Sequence, residues 1–387
     1  MFYQVPHKCA LVLALVLLTP VVATAQIAVS ANDGKSALND GKPEVRNPLA
    51  PDTVFVIDLD QTPPKIVGEV KAPASAVGPP TSVAVAKDES FALVTGAMKI
   101  DPADPKKAVA DNKLSVIDLK AEPPAVSATL EAGAGAAGVS ISPAGDLALV
   151  ANRAEGTVSI FKISGKTLTP AGKIDFGEPK SGPCAVAFTP DGKLAFVTRD
   201  GDHKVSVLKI DGDKVEYTKR DVAAGLRPYG ISMSPKGDVA LVADLGLNNG
   251  NGDADTVSII DVQAKPPRLI DTVTVGTTPE GMTLSRDGQY LALAVMNGSN
   301  KAKAAPIYND HGLLKIYRLK NKRLTFVTQA DVGHWCQGVT FNKDNKKVLV
   351  QCMIENEIQV FSFNGKSLKR TGAIKAAGPA GIRIADK

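Results

Sequence analysis

Ala187-Phe188-Thr189-Pro190-Asp191-Gly192-Lys193-Leu194-Ala195-Phe196-Val197 is two short apolar runs folded about a turn. Pro presets the opening of the turn, Gly accepts a positive φ, and the flanking residues alternate between apolar and polar, which is the pattern of a β-hairpin. The phrase recurs as Ser140-Ile141-Ser142-Pro143-Ala144-Gly145-Asp146-Leu147-Ala148-Leu149-Val150. It returns again as Ser232-Met233-Ser234-Pro235-Lys236-Gly237-Asp238-Val239-Ala240-Leu241-Val242, and as Thr283-Leu284-Ser285-Arg286-Asp287-Gly288-Gln289-Tyr290-Leu291-Ala292-Leu293. A third strand follows in most units, as at Thr157-Val158-Ser159-Ile160-Phe161 and Lys204-Val205-Ser206-Val207-Leu208, and then a fourth, as at Leu269-Ile270-Asp271-Thr272-Val273. Four antiparallel strands returning about every 45 residues predict a propeller blade.

The residues that open the first strand of each unit are Ser82, Gly138, Ala185, Gly230, Gly281, Gly338 and Gly381, one for each of seven blades. After Gly381 the chain has room for a single strand. The missing three are supplied near the N-terminus: Ile27-Ala28-Val29-Ser30, Thr53-Val54-Phe55-Val56-Ile57-Asp58 and Lys65-Ile66-Val67-Gly68-Glu69-Val70. The expectation is an all-β, seven-bladed β-propeller of four-stranded antiparallel blades, filling residues 26–387 as one domain. One C-terminal and three N-terminal strands close the ring, so that no sheet edge is left open there.

Residues 1–25 read differently. Lys8, the apolar run from Ala10 to Leu18 and Ala23-Thr24-Ala25 form the pattern of a secretory signal peptide cleaved after Ala25, and the run is too short for a comfortable membrane span. A periplasmic or secreted monomer is expected. The chain carries 45 Lys+Arg against 40 Asp+Glu, a net +5 that becomes +4 when Lys8 leaves. That mild excess is spread without a basic block, which argues against nucleic acid as a partner. Cys9 leaves with the leader, and Cys184, Cys336 and Cys352 are too few for a disulfide framework.

In a propeller the links between second and third strands, and from each fourth strand to the next blade, emerge on one face. The long insertions all fall in second-to-third links: Asn32 to Asp52, Ala97 to Asn112, Leu245 to Asp255 and Asn297 to Gly312. The repeat phase sorts His203, His311, His334 and Trp335 onto the same face, together with Arg153, Arg199 and Arg227. Two or three guanidinium groups beside an indole would suit a small anionic ligand, carboxylate or phosphate. The residue before each opener should ring the channel mouth, and there Tyr229, Glu280 and Gln337 put large polar groups on three consecutive blades. Arg153, Arg199, His203, Arg227, Tyr229, Trp335 and Gln337 are therefore the candidate ligand-binding residues.

The repeats resemble YVTN-type bacterial propellers, since Asp58, Asp118 and Asp261 follow Val-Ile or Ile-Ile as in the phrase of that family. One unit is similar to the lactonase-type propellers: Arg227-Pro228-Tyr229-Gly230, then Ser234-Pro235-Lys236-Gly237, then Asp244-Leu245-Gly246, with Tyr229 where many of that family carry His. The first resemblance implies an exported scaffold that binds a protein partner or small anionic ligand on its looped face. The second implies a hydrolase of a small acidic lactone, in which Glu280 or His334 acts as general base on water and Arg227 holds the oxyanion.

No cofactor is expected, and no Cys-x-x-Cys-His haem motif is present. Asn249, Asn251, Asp253 and Asp255 alternate oxygen ligands that would suit calcium, but they lack the spacing of a twelve-residue calcium loop, and a Gly/Asn/Asp turn accounts for them. Counting back from the blade-six turn places Cys336 opposite Met353 and beside Cys352. Both a cross-strand disulfide and two reduced thiols stay open, and the offset register favours the thiols.

Overall fold

The computed structural model describes residues 1, 3, 26–247 and 254–386. The leader expected over 1–25, apart from residues 1 and 3, lies outside the described residues, as do Asn249, Asn251 and Asp253. Among the described residues the chain forms seven four-stranded antiparallel sheets and one small two-stranded sheet. Blade 3 is typical, with strands Pro183–Phe188, Leu194–Arg199, Lys204–Asp211 and Lys214–Ala223 side by side in chain order. Blade 7 joins the chain ends: Pro379–Ile384 pairs with Ile27–Asn32, which pairs with Thr53–Asp58, which pairs with Lys65–Lys71. Ring closure is therefore the one expected. No helix among the described residues is long and apolar enough to cross a membrane.

The hairpin turn has a packing role as well as a local one. A Cβ added to Gly237 would come within 2.9 Å of Cδ of Pro190, in the turn of the preceding blade, and one added to Gly288 within 2.8 Å of Cδ of Pro235. These two turns thus nest against the turn of the preceding blade, and a glycine at positive φ serves both demands. The core is divided among the seams between blades. Leu149, Val158 and Ile160 of blade 2, for example, meet Val186, Val197 and Leu208 of blade 3.

Two of the four insertions are ordered differently from plain loops. Ala97 to Asn112 extends the strands Phe91–Ile100 and Ala108–Asp118 beyond the blade, with Met98 still paired to Ala110. Asn32 to Asp52 holds the hairpin Ser36–Asn39 and Lys42–Val45, which belongs to no blade.

The thiol reading of Cys336 and Cys352 is overturned. The two are joined in a disulfide, with Cys336 directly opposite Cys352. A bulge between Cys336 and Val339 puts three steps on the first strand against two on the second, and this extra residue corrects the offset that a regular register gives. Cys184 is a free, buried thiol.

Candidate functional site at the channel mouth

The same bulge recurs at the start of first strands around the ring, at Ala136 to Val139, Pro183 to Ala185, Pro228 to Ile231, Pro279 to Met282 and Cys336 to Val339. Within each bulge sits the residue before the opener, re-aimed from the blade into the channel. Ala137, Cys184, Tyr229, Glu280 and Gln337 are all buried there. The opener must be small because the next blade crowds it. A Cβ on Gly230 would lie 2.7 Å from the Glu280 carbonyl oxygen, and on Gly281 1.7 Å from that of Gln337.

Two residues ahead of the channel residue the backbone turns left-handed. Glycine takes this position in blades 2, 3 and 7 (Gly135, Gly182 and Gly378), whereas blades 4, 5 and 6 hold Arg227 at φ 55°, Thr278 at φ 56° and Trp335 at φ 47°. Side chains are disfavoured in this region, most of all the β-branched Thr278. All three of these side chains line one cavity. Their carbonyls accept the amide N–H of the residue after the second strand: Leu245 on Arg227 (3.0 Å), Met296 on Thr278 (3.0 Å) and Met353 on Trp335 (3.4 Å). Leu245 and Met296 face the same cavity, as does Arg153, whose N–H bonds Gly135 in the same way.

The cavity holds about 310 Å3. Arg153, Arg227, Tyr229, Glu280, Trp335 and Gln337 surround it, with Lys301 on a neighbouring loop. Leu38, Gly41 and Pro43 of the extra hairpin complete the wall. The hairpin is held by the Asp40 carboxylate, which accepts from Lys303 N (2.8 Å), and by Arg46, which donates to Asn356 Oδ1 (2.9 Å).

Asp200 organises the charge. Its carboxylate, only 6 % exposed, bridges Arg153 and Arg227, the latter at 3.2 Å, and Arg153 also stacks over the Tyr229 ring at 5.7 Å. The arginines stay 42 % and 27 % exposed, so their outer N–H groups open to the cavity. Glu280 is the opposite case. Its Oε2 is buried without a hydrogen-bond partner. Burial pushes its carboxyl up to about 8 against an ordinary 4.5, with Arg153 and Arg227 pulling the other way. Burial also lowers the Lys301 ammonium and raises the Tyr229 phenol. Gln337 is oriented by donating from Nε2 to the Val77 carbonyl (3.1 Å).

Several candidates lie elsewhere. Arg199 ends a second strand, at the position that Asn152 and Asp244 hold in blades 2 and 4, and so points into its blade. There it binds Ser206 (3.0 Å) and Asp202 and lies 4.6 Å over the Phe176 ring, just as Asn152 binds Ser159 and Asp244 binds Ser258. His203 is exposed, and its Nδ1 accepts the Arg227 N–H (3.1 Å), outside the cavity wall. His334 is clasped by Glu355 (2.7 Å) and Asp310 (3.2 Å); burial lowers its pKa, but these carboxylates outweigh it and raise the group, favouring imidazolium rather than a base. His311 lies beside Asp331 at 3.5 Å. Asp255 is engaged by the Thr278 N–H (2.7 Å). Sequence reasoning missed Asp200, although laying Arg199 on Asn152 in the repeat would have set Asp200 on Arg153.

Residues 108–215 and 139–316 match the family described as lactonase, seven-bladed β-propeller, and together they span more than half of the 387-residue chain. No curated protein matches the chain. Among solved structures, a candidate 6-phosphogluconolactonase from Bacteroides fragilis is 18 % identical with a TM-score of 0.70, over 95 % of this chain and 100 % of that one. The periplasmic gluconolactonase of Pseudomonas aeruginosa is 16 % identical with a TM-score of 0.66, over 94 % and 99 %. A functionally unknown protein from Desulfotomaculum acetoxidans is 20 % identical with a TM-score of 0.66, over 94 % and 99 %. At these identities the likeness is one of fold.

Proposed function

The chain belongs to the lactonase family of seven-bladed β-propellers, and from that premise we propose that its channel-mouth cavity hydrolyses a small anionic lactone. The observation that carries the reading is Glu280, a buried carboxyl with an unpartnered oxygen, facing the same cavity as two arginines. Burying such a group is costly, and a surface that only docks a partner has no use for it. The Glu280 carboxylate accepts a proton from the water that attacks the lactone carbonyl, forming the new C–O bond. Arg227 stabilises the oxyanion, while Arg153 holds the substrate's own carboxylate. As the ring C–O bond breaks, Glu280 returns the proton to the departing alkoxide, and the product is a hydroxy acid. Trp335, Met296 and Leu245 form the apolar wall against the ring. The 310 Å3 volume suits a single small ring rather than an oligosaccharide.

Turnover of a lactone panel by the native chain, Glu280→Gln and Arg227→Ala tests the reading. Loss of about 10²- to 10⁴-fold in kcat for the first and about 10²- to 10³-fold for the second is expected. Since a carboxyl near 8 is about one-tenth ionised at pH 7, kcat should rise toward pH 8 and then level. Absence of turnover on every lactone would leave a ligand-binding scaffold; turnover untouched by either substitution would discard this site. The apolar leader and the Cys336–Cys352 bond support export to an oxidising compartment.

A further inference from the structure

A second cavity, of about 220 Å3, lies at the other mouth of the channel, where the Pro/Gly turns gather. Its wall comes from the second residue after each opener. Ala84 and Ala187, Ser140 and Ser232, and Thr283 and Thr340 take that position in blades 1 to 6, and Arg383 takes it in blade 7. One long cation thus stands in a circle of small side chains, four of them hydroxylic. Arg383 reaches to blade 5, where Nη1 donates to the Met282 carbonyl at 3.2 Å. That is its one hydrogen bond among the described residues; no carboxylate of theirs comes within 4.0 Å of it, and Asp386 on the same wall acts on it only through space. The next residue along each strand is apolar, as at Ile141, Met233 and Leu284. Lys87, Arg286 and Asp386 sit on the same wall, so that the lining itself holds three cations and one anion.

We infer that this mouth is a binding site for a small amphipathic carboxylate, whose carboxylate takes the free N–H groups of Arg383 while its apolar body lies on the side chains below. A guanidinium has five donors in a fork that matches a carboxylate, and the described residues engage one of them. Set in a circle of small side chains with an apolar residue next along each strand, that charge gains most from an anion that brings its own apolar body. Phosphate would meet the cation but leave those apolar residues wet. The inference is independent of the lactone chemistry at the other mouth.

Titration calorimetry of the full chain with benzoate tests it, in the native protein and in Arg227→Ala, where the upper arginine clamp is broken. One benzoate per chain is expected in the Arg227→Ala background, with methyl benzoate and inorganic phosphate each binding at least tenfold more weakly. Arg383→Met should weaken benzoate at least tenfold and Arg383→Lys by less. Should Arg383→Met fail to fold, Ser140→Leu, which fills the circle and leaves the cation in place, should abolish binding. No saturable binding, equal affinity for the ester or for phosphate, or binding lost with Arg227→Ala and kept in Arg383→Met would each overturn the site.

Discussion

Glu280 carries the chief electrostatic cost at the channel mouth, and that cost depends on pH. Its carboxyl titrates near 8 when folded and near 4.5 when free, so between these values the folded chain holds the extra proton and stability falls as pH rises. Glu280→Gln should therefore raise the unfolding free energy near pH 8.5 by about 2 kcal/mol and leave it nearly unchanged at pH 4; this is less than the full linkage, because the cavity admits water. Denaturant melts at the two pH values check it. Arg227 separates backbone from side chain. Arg227→Gly and Arg227→Ala should lose turnover alike, yet the glycine variant should be about 1 kcal/mol more stable, since only glycine accepts φ 55° without strain. Arg199 gives the converse case: buried against Ser206, Asp202 and Phe176, its replacement by Met should cost about 2–4 kcal/mol and leave kcat/KM unchanged. The sequence could tell that arginines crowd this face. Which of them enter the cavity turns on a one-residue step along a strand, which sends a side chain to the opposite side of the sheet.

At the scale of elements, the bulge that opens the first strands does two jobs. It aims Tyr229, Glu280 and Gln337 into the channel, and in blade 6 it brings Cys336 opposite Cys352. The disulfide joins Cys336 to Cys352 across a separation of 16 residues, with Trp335 and Gln337 flanking the first cysteine and Met353 following the second. Cys336→Ser with Cys352→Ser should lower stability by about 2–3 kcal/mol and weaken lactone binding through Trp335 and Gln337. The thermal midpoint and KM of the double variant, set against reductant-treated native chain, measure this. The bulge shifts the alternation by one residue, but beside the small Gly338 that opens the strand the shift does not stand out in a hydrophobic pattern, so the offset register was the natural reading. The hairpin Ser36–Asn39 and Lys42–Val45 was hidden for another reason: its strands are short with little apolar alternation, and it is held over the cavity by contacts with distant segments, Leu38 on Met296, Trp335, Met353 and Ala380, Asp40 on Lys303 and Arg46 on Asn356.

The whole molecule depends on its closure. Blade 7 takes one strand from the C-terminal end and three from the N-terminal end, and Ile382 packs with Ala28, Phe55 and Ile57. Deleting residues 378–387 should expose a sheet edge and seam together, lowering stability by about 5 kcal/mol or more, or roughly 10 °C in Tm. A calorimetric scan showing an unchanged midpoint would count against closure as a source of stability. The number of blades, their phase and the pairing of the chain ends were all legible, because a repeated hairpin writes its geometry locally, in turn residues and a period of two. The cavity is not local in that sense. Arg153, Asp200, Arg227, Glu280 and Trp335 come from five consecutive blades, and their meeting depends on bulges, left-handed backbone and a hairpin that crosses the mouth. Those features arise from contacts between segments far apart in the chain, and such contacts exist only once the ring has closed.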